Sequence, residues 1–305
     1  MGNFILLGVC FLLGILLRRS GRLPDNAATT LNGFVVNISL PALTLTYVHG
    51  LNLDAGLILP VLMAWILFGI GCGVFWVAGR LFHFSPATTG GLMLTGGLGN
   101  TSFIGLPMIQ SFYGSDWLGL GIVIDQVGSY FVLSTLGILV ASLYATGADE
   151  ERISLRLVLR KMLLFTPFQA FVLALLLNPV TYPDWLADLL RTLGNTLVPL
   201  ALVSVGYQLH VSQARGKAKA LTVGLVFKLA IAPAVMLLLY AGLLGQHGPA
   251  LQVTIFEAAM PPMIGASIVA MEHELDPPLL TLMVGIGIPL GFLTLPAWYY
   301  LLGAF

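Results

Sequence analysis

Ten apolar runs follow one another along the chain, and they constrain the fold more than any other feature. Most are close to the 20 residues that a helix needs to cross the hydrocarbon core of a bilayer. With 58% hydrophobic and only 9% charged residues, the chain cannot cover a soluble domain with charge. We therefore predict an all-α polytopic membrane protein with ten transmembrane helices, at 2–17, 28–48, 56–80, 88–113, 117–144, 162–179, 184–208, 220–244, 249–271 and 278–302.

Basic residues are concentrated in alternate loops, which supports this number of spans independently. They follow spans 1, 3, 5 and 7, whereas the loops after spans 2, 4, 6 and 8 contain none. The positive-inside rule then makes the basic loops cytoplasmic and predicts both termini on the periplasmic or extracellular side of the plasma (inner) membrane. The residues are Arg18, Arg19, Arg22, Arg80, Arg152, Arg156, Arg160, Lys161, Arg215, Lys217 and Lys219.

The motif N-x-x-x-P occurs twice and indicates an internal duplication. It is NISLP at Asn37–Pro41 in span 2 and NTLVP at Asn195–Pro199 in span 7, and Pro107 and Pro261 recur at a similar spacing. Because each half would hold five spans, the second copy would enter the membrane from the opposite side, as in many secondary transporters. We predict a first five-helix repeat at 1–145, a cytoplasmic connector at 146–161 and a second, inverted repeat at 162–305.

Spans 4 and 9 carry helix-breaking sequences near their middle. Span 4 reads TGGLGNTSFIGLPM at Thr95–Met108, and span 9 reads EAAMPPMIGAS at Glu257–Ser267. Glycine weakens a helix, and proline removes a backbone donor. Irregular backbone is tolerated at this depth only inside protein or beside a cavity. We expect the breaks to cross near the midplane, with the glycines (Gly96, Gly97, Gly99 and Gly105) allowing span 4 to unwind and Pro107 starting its second half-helix.

Two half-helix N-termini that converge would provide a positive field for an anion. Neither break has a lysine or arginine close by in sequence, so the backbone itself would supply this field. Lys228 in span 8 is interpreted as a residue whose ammonium reaches the cytoplasmic edge of the membrane. Glycines elsewhere, in Gly69–Gly73 and at Gly285 and Gly287, are expected to allow close helix packing.

Four segments resemble the auxin efflux carrier family, which includes PIN-type auxin exporters and bacterial malate and malonate permeases. They are GNTSFIGLP in span 4, NISLPAL in span 2, NTLVPLAL in span 7 and AAMPPMIGASIVA in span 9. The resemblance implies ten spans in two inverted repeats, a scaffold and a transport domain, and an elevator-like motion. It also implies a substrate at the crossing of spans 4 and 9, where Asn100, Pro107 and Pro261 match the family's positions. The chain departs from the large plant exporters in lacking their long cytoplasmic loop, and its span 9 has a double proline and Glu257.

The candidate site residues lie at the two breaks, in the repeated motif, or at acidic positions inside spans. Glu257 in span 9 and Asp125 in span 5 are candidates for proton coupling, because burial favours the neutral form of a carboxyl group. The alternative is that each neutral carboxyl group caps broken backbone. The substrate-binding candidates are Asn100, Thr101, Ser102, Pro107, Met260, Pro261, Pro262, Asn37 and Asn195.

These features predict a secondary active transporter of small organic anions such as carboxylates, embedded in lipid, with homodimerisation left open. The alternatives are a sodium- or proton-coupled symporter or antiporter of another solute, which would require an acidic pair at the crossing, and a membrane sensor. An enzyme is not expected, because the motifs G-x-S-x-G and H-E-x-x-H are missing, and neither is an ATP-driven pump. Zero net charge disfavours a nucleic-acid partner. Two cysteines in apolar runs and five scattered histidines predict no metal site and no cofactor.

Overall fold

Each of the ten apolar runs contains helix in the computed structural model, which describes residues 2–51, 54–145, 160, 163–208 and 216–305. Within those residues the fold is all-helical, and its one extended pairing is a single bridge between two helix breaks. The predicted connector at 146–161 lies outside the described residues except for Arg160, and so do Arg215 and His210.

Among the described residues, six helices are long and apolar enough to cross a membrane, at Ala27–Tyr47, Ala55–Phe82, Ser115–Tyr144, Asp184–Gln208, Ala218–Leu243 and Pro277–Leu302. Predicted span 1 is a helix of 19 residues, predicted span 6 contains a shorter helix of 11, and predicted spans 4 and 9 are each two half-helices. The helices are α1 (Gly2–Ser20), α2 (Ala27–Tyr47), α3 (Ala55–Phe82), α4 (Pro86–Gly97), α5 (101–112), α6 (Ser115–Tyr144), α7 (Thr166–Leu176), α8 (Asp184–Gln208), α9 (Ala218–Leu243), α10 (Pro249–Ala258), α11 (Ile264–Glu272) and α12 (Pro277–Leu302).

Three prolines inside helices are each preceded by a wide, π-helical turn. The turns at Val35–Ser39, Thr101–Gly105 and Phe227–Ile231 each end two residues before a proline, at Pro41, Pro107 and Pro233. A proline cannot donate to the preceding turn, and its ring clashes with the carbonyl four residues back. A turn with one extra residue moves that carbonyl away, so the helix continues through the proline.

The helices pack as two sets. The first helix set consists of α1, α2, α7 and α8, in which α8 packs along α1 and α2, and α2 also packs on α7. The second helix set consists of α3 to α6 and α9 to α12, and it contains both broken pairs, α4–α5 and α10–α11. The two sets meet mainly where α5 and α6 face α1, α2, α7 and α8.

Glycines bring α1 and α8 into backbone contact inside the first helix set. A Cβ atom on Gly14 would lie 2.2 Å from the Val203 carbonyl oxygen, and one on Gly206 would lie 2.1 Å from that of Phe11. Small residues of this kind allow membrane helices to approach closely.

Some of the glycines for which the sequence predicted a packing role lie at close helix contacts, and others do not. The prediction is confirmed for Gly71, whose Cβ would lie 3.0 Å from the Gly97 Cα atom, and for Gly287, which faces the Pro262 ring at 2.7 Å. It is wrong for Gly69 and Gly73, because a Cβ atom there would meet no heavy atom within 4 Å.

One end of the second helix set is joined by Asp276, which precedes α12. Its Oδ2 atom accepts hydrogen bonds from the Lys217 ammonium (2.6 Å), before α9, and from the Thr88 hydroxyl (2.5 Å), in α4. Lys219 lies over the Phe82 ring at the end of α3. The basic loops predicted after spans 3 and 7 therefore lie at the same end of the molecule, as their predicted common side of the membrane requires.

Replacing Gly14 by valine should destabilise the protein, because the added side chain would overlap the α8 backbone. We expect a loss of about 2 kcal/mol or more, seen as a melting temperature lower by about 5 °C or more in detergent. Gly8→Val is the matched control on the same helix, since a Cβ atom on Gly8 meets nothing within 4 Å. Equal melting temperatures for the two variants would contradict the close contact between α1 and α8.

Candidate functional site

The two breaks lie against each other and pair through their backbones. Residues 98–100 and 259–263 leave the helical path, and Gly99 and Pro262 form an antiparallel bridge. The Asn100 N–H donates to the Pro261 carbonyl at 2.8 Å, and the Met263 N–H donates to the Leu98 carbonyl at 3.2 Å. We call this place the crossing: the C-termini of α4 and α10 and the N-termini of α5 and α11 meet there.

The second half of predicted span 4 begins at Thr101, so the prediction that Pro107 starts it is wrong. Asn100 caps this helix, since its Oδ1 atom accepts a hydrogen bond from the Phe103 N–H at 3.1 Å. The Asn100 carbonyl also accepts from the Gly105 N–H at 2.9 Å, which closes the π-helical turn before Pro107. The cap decides where the helix begins, and the wide turn accommodates the proline inside it.

Close packing rather than unwinding explains three of the four glycines in this segment. Gly96 and Gly97 end α4, where Cβ atoms would lie 2.4 Å from the Phe75 ring and 3.0 Å from the Phe68 ring. Gly105 lies inside α5, and only Gly99 belongs to the extended pairing. The prediction that all four loosen the helix is therefore wrong for Gly96, Gly97 and Gly105.

The Asp125 carboxylate lies at the N-terminus of α5 and is held by three donors. Its Oδ1 atom accepts hydrogen bonds from the Thr101 and Ser102 hydroxyls, both at 2.5 Å, and its Oδ2 atom accepts from the Gln126 amide at 2.8 Å. Asp125 is buried, in a π-helical turn of α6. An internal carboxylate thus meets the positive end of this half-helix. Thr101 and Ser102, which the sequence offered as substrate ligands, donate to it.

Glu257, in the last turn of α10, fills a space that two glycines leave open. Cβ atoms on Gly105 and Gly121 would lie 2.5 Å and 3.6 Å from its carboxylate oxygens. The side chain is 1% exposed, and neither oxygen has a hydrogen-bond partner among the described residues. A charged carboxylate without a partner is costly in such a place. Glu257 is therefore suited to hold a proton or to receive a ligand.

Two neutral side chains at the crossing also carry unused hydrogen-bonding atoms. The Nδ2 donor of Asn100 and the Oε1 acceptor of Gln126 are both buried, and neither finds a partner within the part of the chain that the structure describes. Buried polar atoms are usually satisfied, and exceptions often mark a functional role or an absent ligand. The crossing thus has one donor and several acceptor atoms free.

Lys228 reaches the crossing, so its interpretation as a residue at the membrane edge is wrong. Its side chain is 0% exposed, and its Nζ atom donates to the Ala258 carbonyl at 2.9 Å. The Nζ atom also lies 3.1 Å from where a Cβ atom on Gly99 would be. The breaks have no lysine or arginine close by in sequence, but the fold brings Lys228 next to them.

Depth in the membrane could have indicated the role of Lys228. Ten residues separate it from Ala218 at the start of α9, a rise of about 15 Å, or half the hydrocarbon thickness. A lysine stem cannot bring its ammonium to water from there through packed protein. Charged residues at such a depth are functional candidates by default.

The remaining candidates fall into two groups. Met260, Pro261 and Pro262 form the extended segment of span 9, where all three are buried.

Asn37 and Asn195 are exposed and belong to the first helix set. Asn37 accepts a hydrogen bond from the Thr166 hydroxyl at 2.8 Å, and Asn195 lies in a short turn inside α8, directly after Gly194. Among the described residues, neither asparagine has a hydrogen bond to the crossing, and their part in substrate binding stays a prediction.

The described residues contain no group of three or more histidine, cysteine or acidic side chains placed to hold a metal. Cys10 and Cys72 are free thiols. Within the part of the chain that the structure describes, the acids at the crossing are Asp125 and Glu257, and both lie against α5.

Comparisons with known proteins agree with the sequence resemblance. The family described as "Membrane transport protein" matches residues 3–299. A protein of Methanothermobacter thermautotrophicus described as an uncharacterized transporter is 28% identical over 296 residues, which is 95% of this chain and 94% of the relative. An uncharacterized transporter of Methanocaldococcus jannaschii is 24% identical over 304 residues, or 96% of each chain. The chain therefore belongs to the membrane transport protein family, the auxin efflux carrier family, and is a multi-pass membrane transporter.

Proposed function

We propose that this transporter is a secondary active carrier of small organic anions such as carboxylates, with the substrate bound at the crossing. The observation that carries the proposal is the buried Nδ2 donor of Asn100, which has no acceptor among the described residues. The N-terminus of α11 adds a second attraction, since its first turn contains no acidic residue and no side chain caps it. An anion would find hydrogen-bond donors and a positive helix end there.

The proposed architecture is ten spans in two inverted five-helix repeats. Support comes from the two broken pairs, one in each half of the sequence, whose extended segments run antiparallel. The proposed motion is elevator-like: the second helix set moves against the first and exposes the crossing alternately to the two sides. The division of helix contacts into two sets supports this proposal, because a moving unit needs its own continuous packing.

The proposed driving force is a proton gradient, with Glu257 as the proton carrier. A buried carboxyl group without a donor is stable when neutral, and it can ionise when an opening site or a departing anion changes its surroundings. Coupling of this kind lets an anion and a proton cross together, so that the net charge moved is small. Asp125 is the weaker candidate, because three donors already hold its carboxylate.

A sodium-coupled symporter or cation antiporter of another solute is the second candidate function. It requires an acidic pair at the crossing, and Asp125 and Glu257 both lie there, close enough to interact electrostatically. The sequence identified only Glu257 near a break, because Asp125 reaches the crossing through the fold of α6. The uptake experiment separates this candidate from the first.

Wild-type protein in proteoliposomes should accumulate labelled small carboxylates when the outside is more acidic than the lumen. Collapsing the proton gradient should reduce uptake to the level of exchange, whereas replacing sodium by choline should leave uptake unchanged. Uptake of cations or neutral solutes alone would contradict the anion proposal. Carboxylate uptake that requires sodium and ignores the proton gradient would contradict proton coupling and favour the second candidate.

Asn100→Asp should abolish most carboxylate uptake while preserving the fold. Aspartate keeps the oxygen that caps α5 but replaces the Nδ2 donor by a repelling charge. We expect the initial rate to fall at least ~10-fold, equivalent to ~1.4 kcal/mol or more of lost binding. The matched control is Asn26→Asp, because Asn26 is exposed before α2 and its side chain makes no cap. An Asn100→Asp protein that folds and transports normally would remove Asn100 from the site.

Glu257→Gln should uncouple transport from the proton gradient. Glutamine has the size of a protonated glutamate but cannot release a proton, so gradient-driven uptake should be lost. Exchange of labelled for unlabelled carboxylate should persist, because exchange moves no net proton. Glu272→Gln, at an exposed position at the end of α11, is the control and should behave as wild type. Retained gradient-driven uptake in Glu257→Gln would exclude Glu257 as the proton carrier.

A further inference from the structure

The ammonium of Lys228 lies at the end of a half-helix where backbone oxygens face outward. It donates to the carbonyl of Ala258, the last residue of α10. The last carbonyls of a helix have no partner within the helix and form its negative end. The positive charge of Lys228 therefore balances the C-terminus of α10 inside the crossing.

The surroundings of the ammonium contain oxygen atoms and little free space. The Glu257 carbonyl oxygen lies 3.3 Å from the Cβ position of Gly99, which is itself 3.1 Å from the Nζ atom. The two acidic groups that face this region are Glu257 from α10 and Asp125 from α6, and Glu257 interacts electrostatically with both Asp125 and Lys228. Of the two, Glu257 has no hydrogen-bond donor among the described residues.

Carriers built from broken helices use this kind of place for a cation. Unwound carbonyl groups and the C-terminal ends of half-helices coordinate the coupling ion in such folds. A sodium ion and an ammonium group carry the same charge, and both are stabilised by carbonyl and carboxylate oxygens. The difference is that the ammonium of Lys228 is attached to the chain and cannot leave.

We propose that Lys228 is a tethered cation that occupies the cation position of the crossing, so that the carrier binds no sodium ion there. The inference rests on the proposed function in one respect, the crossing as the transport site. It also accounts for the two acids at the crossing without a bound metal. Removing the lysine side-chain charge would leave the α10 carbonyl end without its cation, and with the unpartnered Glu257 nearby this would create a sodium site.

Sodium-dependent thermal stability of the purified protein tests this proposal without any substrate. Melting temperatures are measured in sodium chloride and in choline chloride at equal ionic strength. Wild type should melt at the same temperature in both. Lys228→Met should melt lower than wild type in choline and gain about 2–4 °C or more, saturably, as sodium is added. Lys228→Met combined with Glu257→Gln should lose this gain.

The control is Lys219→Met, at an exposed position at the start of α9, which should show no sodium response. A saturable sodium gain in wild type would overturn the proposal, and so would a Lys228→Met protein that does not respond. If Lys228→Met is unstable, it is purified in parallel in sodium and in choline, together with Lys228→Gln. Recovery of folded protein in sodium alone supports the proposal, and recovery in neither salt, for both variants, contradicts it.

The outcome is separable from that of the uptake experiment. If Lys228→Met gains a sodium response but wild type moves no carboxylate, the result supports Lys228 as a tethered cation and contradicts the proposed anion transport. If wild type takes up carboxylates only with sodium, the result supports anion transport and contradicts the proposal that Lys228 replaces a sodium ion.

Discussion

The backbone pairing between residues 98–100 and 261–263 is the interaction on which the rest of the structure depends. A break in a membrane helix exposes N–H and C=O groups that lipid cannot satisfy. Two breaks that cross can satisfy each other, as the hydrogen bonds from Asn100 to Pro261 and from Met263 to Leu98 do here. The pairing makes each broken helix depend on the other. It also brings four helix ends, and their partial charges, to one buried place.

Those partial charges explain where the ionisable side chains lie. The positive end of α5 faces the carboxylate of Asp125, and the negative end of α10 faces the ammonium of Lys228. Each full charge thus opposes a helix end of the other sign, which offsets part of the cost of burial. Among the described residues the Glu257 carboxyl group has no hydrogen-bond partner, and the first turn of α11 contains no acidic residue. The proposed function therefore draws on these two groups, the Glu257 carboxyl group and the N-terminus of α11.

The sequence predicted the helices well because their signal is local. Predicted spans 7 and 10 differ from α8 and α12 by at most one residue at either end, and both breaks lie where glycine and proline placed them. The site was predicted only in part, because apolar residues on every face hide the direction in which a side chain points. Lys228 and Asp125 reach the crossing through the rotation and depth of α9 and α6, which packing decides. The prediction that Pro107 starts a half-helix was wrong although proline is a strong local signal, because the cap at Asn100 begins the helix earlier and the wide turn accommodates the proline inside it.

The division into two helix sets has a consequence for the proposed motion. Lys228, Asp125, Glu257 and both breaks belong to the second helix set, so a movement of that set as a body would leave their mutual contacts intact. The contacts that would have to change are mainly those of α5 and α6 with the first set, together with the ring contact between Phe11 in α1 and Phe292 in α12. Separating Lys228 from the α10 carbonyl, by contrast, would leave a buried charge unpaired. A rigid second set that carries its own charges is thus physically more favourable than a gate that opens the crossing itself.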